Sequence, residues 1–176
     1  MLYIQQSLGP DEELVHVGQF HWIYTLTAVM SIVWGVIGCI AVIWGGIYLQ
    51  AQFMDGFYAE GVLGKIRELH PGLRILAFFV FLMGLLRFAQ MMIVKATTEI
   101  AITNSRLVYK RGLVARQVGE MSIDRIEGVN VLQSVLGRIF NYGRIMVRGM
   151  GVGEVILPPL ADPIKFRKSI EKAKTL

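Results

Sequence analysis

The sequence predicts an α+β membrane protein: a two-helix transmembrane hairpin, then a bent antiparallel sheet capped by a C-terminal helix. Three observations predict it. Two long apolar runs fall within the first 94 of 176 residues. Short stretches of period-two alternation, separated by turn residues, fill 97–160. One amphipathic helical pattern, opened by a proline, ends the chain.

Composition divides at the same place. The chain is 54% apolar, and the two runs supply the excess. Residues 1–94 carry four Lys/Arg against six Asp/Glu, whereas 95–176 carry fourteen against seven. The reading is therefore an N-terminal tail and transmembrane region over 1–94, with spans at 22–49 and 73–94, and a basic domain over 95–176. A basic module beside a membrane points to an anionic lipid surface. Nucleic acid is not expected, because Lys and Arg are scattered and few aromatics alternate with them. Cys39 is the single cysteine, so no intrachain disulfide and no Cys-based metal site can form. His16, His21 and His70 have no metal-ligand spacing, and no cofactor is expected.

Residues 1–20 are polar and acidic, with Gly9-Pro10-Asp11-Glu12-Glu13 as a turn signal. Leu14, Val15 and Val17 read as a lead-in to the membrane. The segment lacks the basic start and short apolar core of a signal peptide, so it is expected to be retained. Residues 22–49 contain no charge over 28 positions, and about 20 suffice to span the hydrocarbon. Trp22 and Tyr24 at one end, and Trp44 and Tyr48 at the other, match interfacial belts. Gly35, Gly38, Gly45 and Gly46 leave room for close helix approach, although Gly35 and Gly38 are three apart and do not make GxxxG.

The connection 50–72 has two readings: a short amphipathic helix over 59–69 lying on the membrane surface, or a solvated loop. His70-Pro71-Gly72 punctuates the start of the second run. Arg87 is its anomaly, since a mid-bilayer arginine costs roughly 2.5–3.5 kcal/mol on insertion scales. Either it snorkels to headgroups about 10 Å away, or it makes an intramembrane contact with Ser31 or Thr27, or with another subunit. Neither run holds a carboxylate, which argues against a proton relay. Two spans put both termini on one side, and Lys95 with the basic C-terminal part places that side in the cytoplasm.

Beyond Thr97 the chain reads as strands. Thr98, Ile100 and Ile102 alternate with Glu99, Ala101 and Thr103, as in a half-buried strand. Thr103-Asn104-Ser105 is a turn. Further strands are expected over 106–111, 117–123, 125–132, 144–148 and 154–157. A helical turn or loop is expected over 134–140, and a glycine-rich hairpin loop over 149–153. Pro158-Pro159 stops the last strand. Asp162 is the expected cap of the final helix, with Pro163 at its first position. Phe166, Ile170 and Ala173 then form one apolar face.

Several of these stretches together resemble the bacterial pleckstrin-homology (PH) domain family, in its membrane-anchored two-span branch. They are Ile102-Thr103-Asn104-Ser105-Arg106-Leu107, Tyr109-Lys110-Arg111-Gly112-Leu113, Gly137-Arg138-Ile139, Tyr142-Gly143, Val147-Arg148-Gly149 and Ala161-Asp162-Pro163. His21-Trp22 before the first run is also typical of that branch. The resemblance covers roughly 97–173 and the layout of the front half. It implies a PH-like bent antiparallel sheet capped by a C-terminal helix, no enzymatic activity, and residence in the bacterial inner membrane.

Three function classes are open to such a chain. The first is a non-enzymatic, membrane-anchored interaction module that scaffolds or regulates membrane-protein assemblies as a homo-oligomer. The second is a sensor of anionic lipid headgroups, using Lys110, Arg111 and Arg116 around one hairpin and Arg144 and Arg148 on one strand face. Against it, Thr103-Asn104-Ser105 is too short and too poor in lysine for the inositol-phosphate pocket of eukaryotic PH domains. An enzyme or transporter is disfavoured, because 95–176 lacks His and Cys and its acids form no paired motif.

Overall fold

The structure is a computed structural model, and it describes residues 2–53, 61–112, 117–150 and 153–175. It divides into two compact units, Met1–Tyr24 with Ile93–Leu176, and Thr25–Met92. The chain opens with a short helix, α1 (Leu2–Ser7), and a strand, β1 (Leu14–Gly18). It then enters α2 (Trp22–Phe53), α3 (Gly61–Glu68) and α4 (Pro71–Thr97).

Helices α2 and α4 are about 48 and 40 Å long at 1.5 Å per residue, against a hydrocarbon core of about 30 Å. Both are long and apolar enough to cross a membrane. Only 11% and 6% of their most apolar windows are buried within this chain. Small residues set their crossing. A Cβ on Gly84 would meet the Ser31 carbonyl at 2.7 Å and Gly35 Cα at 2.9 Å. Ser31 Oγ stands 3.2 Å from the Gly84 carbonyl across the crossing. A Cβ on Gly38 or Gly46 would crowd Val80 or Leu73, whereas Gly45 faces open space. Part of the connection is helical, as α3; residues 54–60 lie outside the described residues.

The other unit is built on two antiparallel sheets rather than one bent sheet. The first has the order β1-β2-β3-β4, where β2 is Glu99–Thr103, β3 Arg106–Arg111 and β4 Gln117–Ser122. The second has β5 (Ile126–Leu132), β6 (Tyr142–Gly149) and β7 (Gly153–Ile156), with the short β8 (Leu160–Ala161) pairing with β6. A 3-10 turn at Ile123–Arg125 separates them: it takes Arg125 out of the expected fourth strand and breaks the hydrogen-bond ladder between β4 and β5. Between β5 and β6 sits α5 (Val135–Ile139), and α6 (Pro163–Ala173) closes the fold. The core joins Ile100, Ile102, Leu107, Met121, Ile123, Ile126, Ile145 and Val147 to Phe166, Ile170 and Ala173 of α6. Burying that many branched and aromatic side chains is the main stabilising term.

Three expectations are corrected. First, residues 14–18 are a strand, not a lead-in. Val17 pairs with Ala101 and Gly18 with Ile100 across the whole apolar insertion. The boundary drawn at 94/95 therefore leaves out a strand that belongs to the β-unit. Second, β2 is covered on both faces, because α1 packs against it and Ala101 is fully buried. Third, Asp162 makes no side-chain cap. It sits in the left-handed region at φ 50°. Its carboxylate accepts instead from Asn141 Nδ2, and its carbonyl accepts from Phe166 N at 3.0 Å. Pro163 does take the first helical position.

Candidate functional site

Period two decides where the basic side chains go. Tyr109 and Arg111 share one face of β3, and Lys110 takes the other. Lys110 stands opposite Glu99 in the β2·β3 register and pairs with it at 3.7 Å. Burial alone would raise the Glu99 carboxyl, but the Ile4 amide, then the terminal amine, and least Lys110 together outweigh that and lower it. The expected cluster of Lys110 with Arg111 is thus split across the sheet. Arg116 lies outside the described residues. Arg144 and Arg148 do share the outward face of β6. Arg148 is held by Glu154, its register partner on β7, and sits about 13 Å further along the strand at roughly 3.3 Å per residue.

Arg111 and Arg144, from different sheets, are brought together. They line a cleft of about 240 Å³ with Tyr24, Tyr109, Thr98 and Val94, closed on one side by Ile156, Leu157, Pro158 and Pro159. Among the described residues neither arginine has a carboxylate in ion-pair range. The Thr98 hydroxyl is buried and is the one buried side-chain polar atom, among the described residues, without a hydrogen-bond partner. Leaving such a hydroxyl unsatisfied costs about 1–3 kcal/mol. Two guanidiniums, two phenols and an unspent hydroxyl converge against an apolar wall. Guanidinium forks match phosphate and carboxylate oxygens, so this arrangement suits a small oxyanion. Among the described residues its lining is Arg, Tyr and Thr against apolar side chains, with no Asp, Glu, His or Cys.

Arg87 lines a separate cleft of about 600 Å³ between α2 and α4, with Thr27, Ser31, Trp34 and Gln90 among its neighbours. Thr27 and Ser31, the two hydroxyl residues weighed as its partners against snorkelling, line the same cleft. Ser31 Oγ directs its single proton to the Ala28 carbonyl at 2.6 Å, with the Gly84 carbonyl at 3.2 Å.

One polar node was not foreseen. Glu12, at the turn read from residues 9–13, folds onto the Thr103-Asn104-Ser105 turn. Its carboxylate accepts from Arg106 Nε at 2.8 Å and Nη2 at 2.6 Å, Thr103 Oγ1 at 2.7 Å, Ser105 Oγ at 3.0 Å and Gly9 N at 2.9 Å. Burial pushes this carboxyl up, yet these five donors more than offset it and hold it at about 2. Arg106 also donates to Glu120 and to the Ser7 carbonyl. The only sequence signal was three consecutive acid-and-turn residues, Asp11-Glu12-Glu13, in a tail with no basic residue to neutralise them.

The comparison with curated proteins and with solved structures gives no match. A family model described as the bacterial PH domain matches residues 14–174. That match starts at the first residue of β1, runs through both apolar helices and ends just past α6. The chain belongs to the bacterial PH domain family.

Proposed function

We propose that this protein is a non-enzymatic, membrane-anchored interaction module that scaffolds or regulates membrane-protein assemblies, itself as a homo-oligomer. Its setting is the bacterial inner membrane, with both termini in the cytoplasm. Domains of this family are typically non-catalytic interaction modules. The observation that carries the reading is the β1·β2 pair. Strand β1 ends four residues before α2 begins, and β2 starts two residues after α4 ends. The apolar hairpin is thus an insertion inside a PH-like unit, and antiparallel pairing holds its entry and exit side by side. Strands β4 and β7 end their sheets, and such edges accept partner strands. The test is purification in mild detergent with mass measurement and in-cell crosslinking. A discrete oligomer or a stoichiometric membrane-protein companion supports the reading. A monomer without crosslinked partners refutes it.

The Arg111–Arg144 cleft favours a second reading, capture of an anionic lipid headgroup. Native mass spectrometry of the full chain should then show phosphatidylglycerol retained over phosphatidylcholine. Arg111→Ala with Arg144→Ala should abolish that preference, and Arg148→Ala should not.

A further inference from the structure

We propose that α5 and the residue after it form an interfacial wedge that inserts among the lipid headgroups and upper acyl chains; this rests on the reading that α2 crosses a bilayer. Four of the six residues from Val135 to Phe140 are large, apolar and exposed: Val135 (77%), Leu136 (58%), Ile139 (69%) and Phe140 (45%). Leu132, on the strand leading in, is exposed as well. This is the reverse of what a water-facing turn requires.

Several backbone groups of the wedge are satisfied within the protein. Ser134 Oγ accepts from Gly137 N at 3.1 Å, and Arg138 N and Phe140 N donate to the Ser134 and Leu136 carbonyls, each at 3.0 Å. Gln133 Nε2 donates to the Gly137 and Tyr142 carbonyls. Asn141, in the left-handed region at φ 56°, ends the helix and ties to Asp162 through both backbone and side chain. A Cβ on Gly137 would meet the Tyr142 carbonyl at 2.6 Å, so the helix sits hard against β6. Satisfied polar groups inside and apolar side chains outside are what a lipid interface demands of a short segment.

Position supplies the occupant. Phe140 meets Trp22 edge-on with ring centroids 6.0 Å apart, and Tyr142 stacks on His21 at 5.3 Å. His21-Trp22 is the mouth of the uncharged helix α2, where a tryptophan marks the headgroup level. A side chain packed on Trp22 shares its depth. Arg138 is exposed on the wedge itself, which suits an anionic headgroup layer. A bilayer therefore fits this face better than a protein groove.

The test uses the full chain in nanodiscs of phosphatidylcholine and phosphatidylglycerol. Cys39→Ser provides a cysteine-free background, and an environment-sensitive fluorophore is placed singly by Leu136→Cys, Ile40→Cys or Lys168→Cys. Ile40 is an exposed position of α2, and Lys168 is on the exposed face of α6. The wedge requires the Leu136 label to be blue-shifted, shielded from aqueous iodide, and to lose most of its emission to lipids spin-labelled just below the headgroup. The Lys168 label should behave oppositely. If the Leu136 label is open to iodide while the Ile40 label is quenched by lipid, the wedge is wrong and the span stands. If the Leu136 label is shielded from iodide but blind to spin-labelled lipid, a protein covers the face, and the wedge is again wrong. If the Ile40 label is not quenched by lipid either, the spanning reading fails and takes the wedge with it. Photolabelling of the unmodified chain by a lipid-borne diazirine gives the same answer without a mutation: residues 135–140 must be marked.

Discussion

Glu12→Gln tests whether the acidic tail is part of the β-unit's structure. The Glu12 side chain is only 7% exposed and its partner Arg106 28%. In the folded state the carboxyl sits at about 2, against an ordinary 4.5. At 1.36 kcal/mol per pKa unit, that difference is worth about 3 kcal/mol at neutral pH. The substitution keeps the shape and removes the charge, so it should lose most of that sum. For a unit of about a hundred residues the melting temperature should fall by on the order of 10 °C or more.

The sign follows from the depressed carboxyl. Its contribution is complete above pH 4.5, where the unfolded carboxyl is also ionised. It drains as pH falls from 4.5 towards 2, because the unfolded chain takes up a proton that the folded one refuses. Melting of wild type and Glu12→Gln would be compared across pH for the full chain in detergent. Amide exchange in residues 14–18 and 99–111 would report the β-unit alone. The gap between the two proteins should be widest near neutrality and close as pH approaches 2. Equal melting at neutral pH, or a gap that persists in strong acid, would refute the reasoning.

Other outcomes follow from the same geometry. Gly84→Leu would place a side chain where the Ser31 carbonyl and Gly35 already stand at 2.7 and 2.9 Å, so α2 and α4 should separate; a distance measurement between spin labels on the two helices reads it. Gly45→Leu meets open space and should leave that distance unchanged. The fragment 95–176 lacks β1 and should fail to fold by circular dichroism and proton NMR, whereas 2–24 joined to 93–176 by a flexible linker should fold. Phe166→Ala, at the fully buried centre of α6, should cost about 3–5 kcal/mol by chemical denaturation.

What was legible in the sequence was local. Long apolar runs marked α2 and α4, alternation marked β2 to β7 to within a residue or two, and the spacing of Phe166, Ile170 and Ala173 marked the buried face of α6. The misreadings share one cause: the deciding partner lies far along the chain. Leu14, Val15 and Val17 looked like an approach to the membrane because their partner β2 is on the other side of the hairpin. Ala101 alternates with Ile100 and Ile102 as an outward residue would, and only α1 makes it a core residue. The site shows both situations. That Lys110 and Arg111 point opposite ways was available from period two alone. That Arg111 meets Arg144 was not, because β3 and β6 belong to different sheets.

The same distinction changes what the positive charge of this protein means. Fourteen Lys/Arg over 95–176 suggest a broadly sticky surface, at about 1 kcal/mol per basic residue near anionic lipid. The fold spends several of them internally: Arg106 on Glu12 and Glu120, Lys110 on Glu99, Arg148 on Glu154 and Arg167 on Glu171. The β-unit also takes in Asp11, Glu12 and Glu13 from the tail, which the division at 94/95 had credited to the membrane half. Diffuse attraction is therefore weaker than the count implies. Lys165, Lys168 and Lys172 stay exposed on α6, while Arg111 and Arg144 line one cleft and Arg138 stands on the apolar wedge. A protein that met the membrane by charge alone would keep its arginines free and scattered. This one pairs Arg106, Arg148 and Arg167 with carboxylates, and sets Arg111 and Arg144 on one cleft and Arg138 on the wedge.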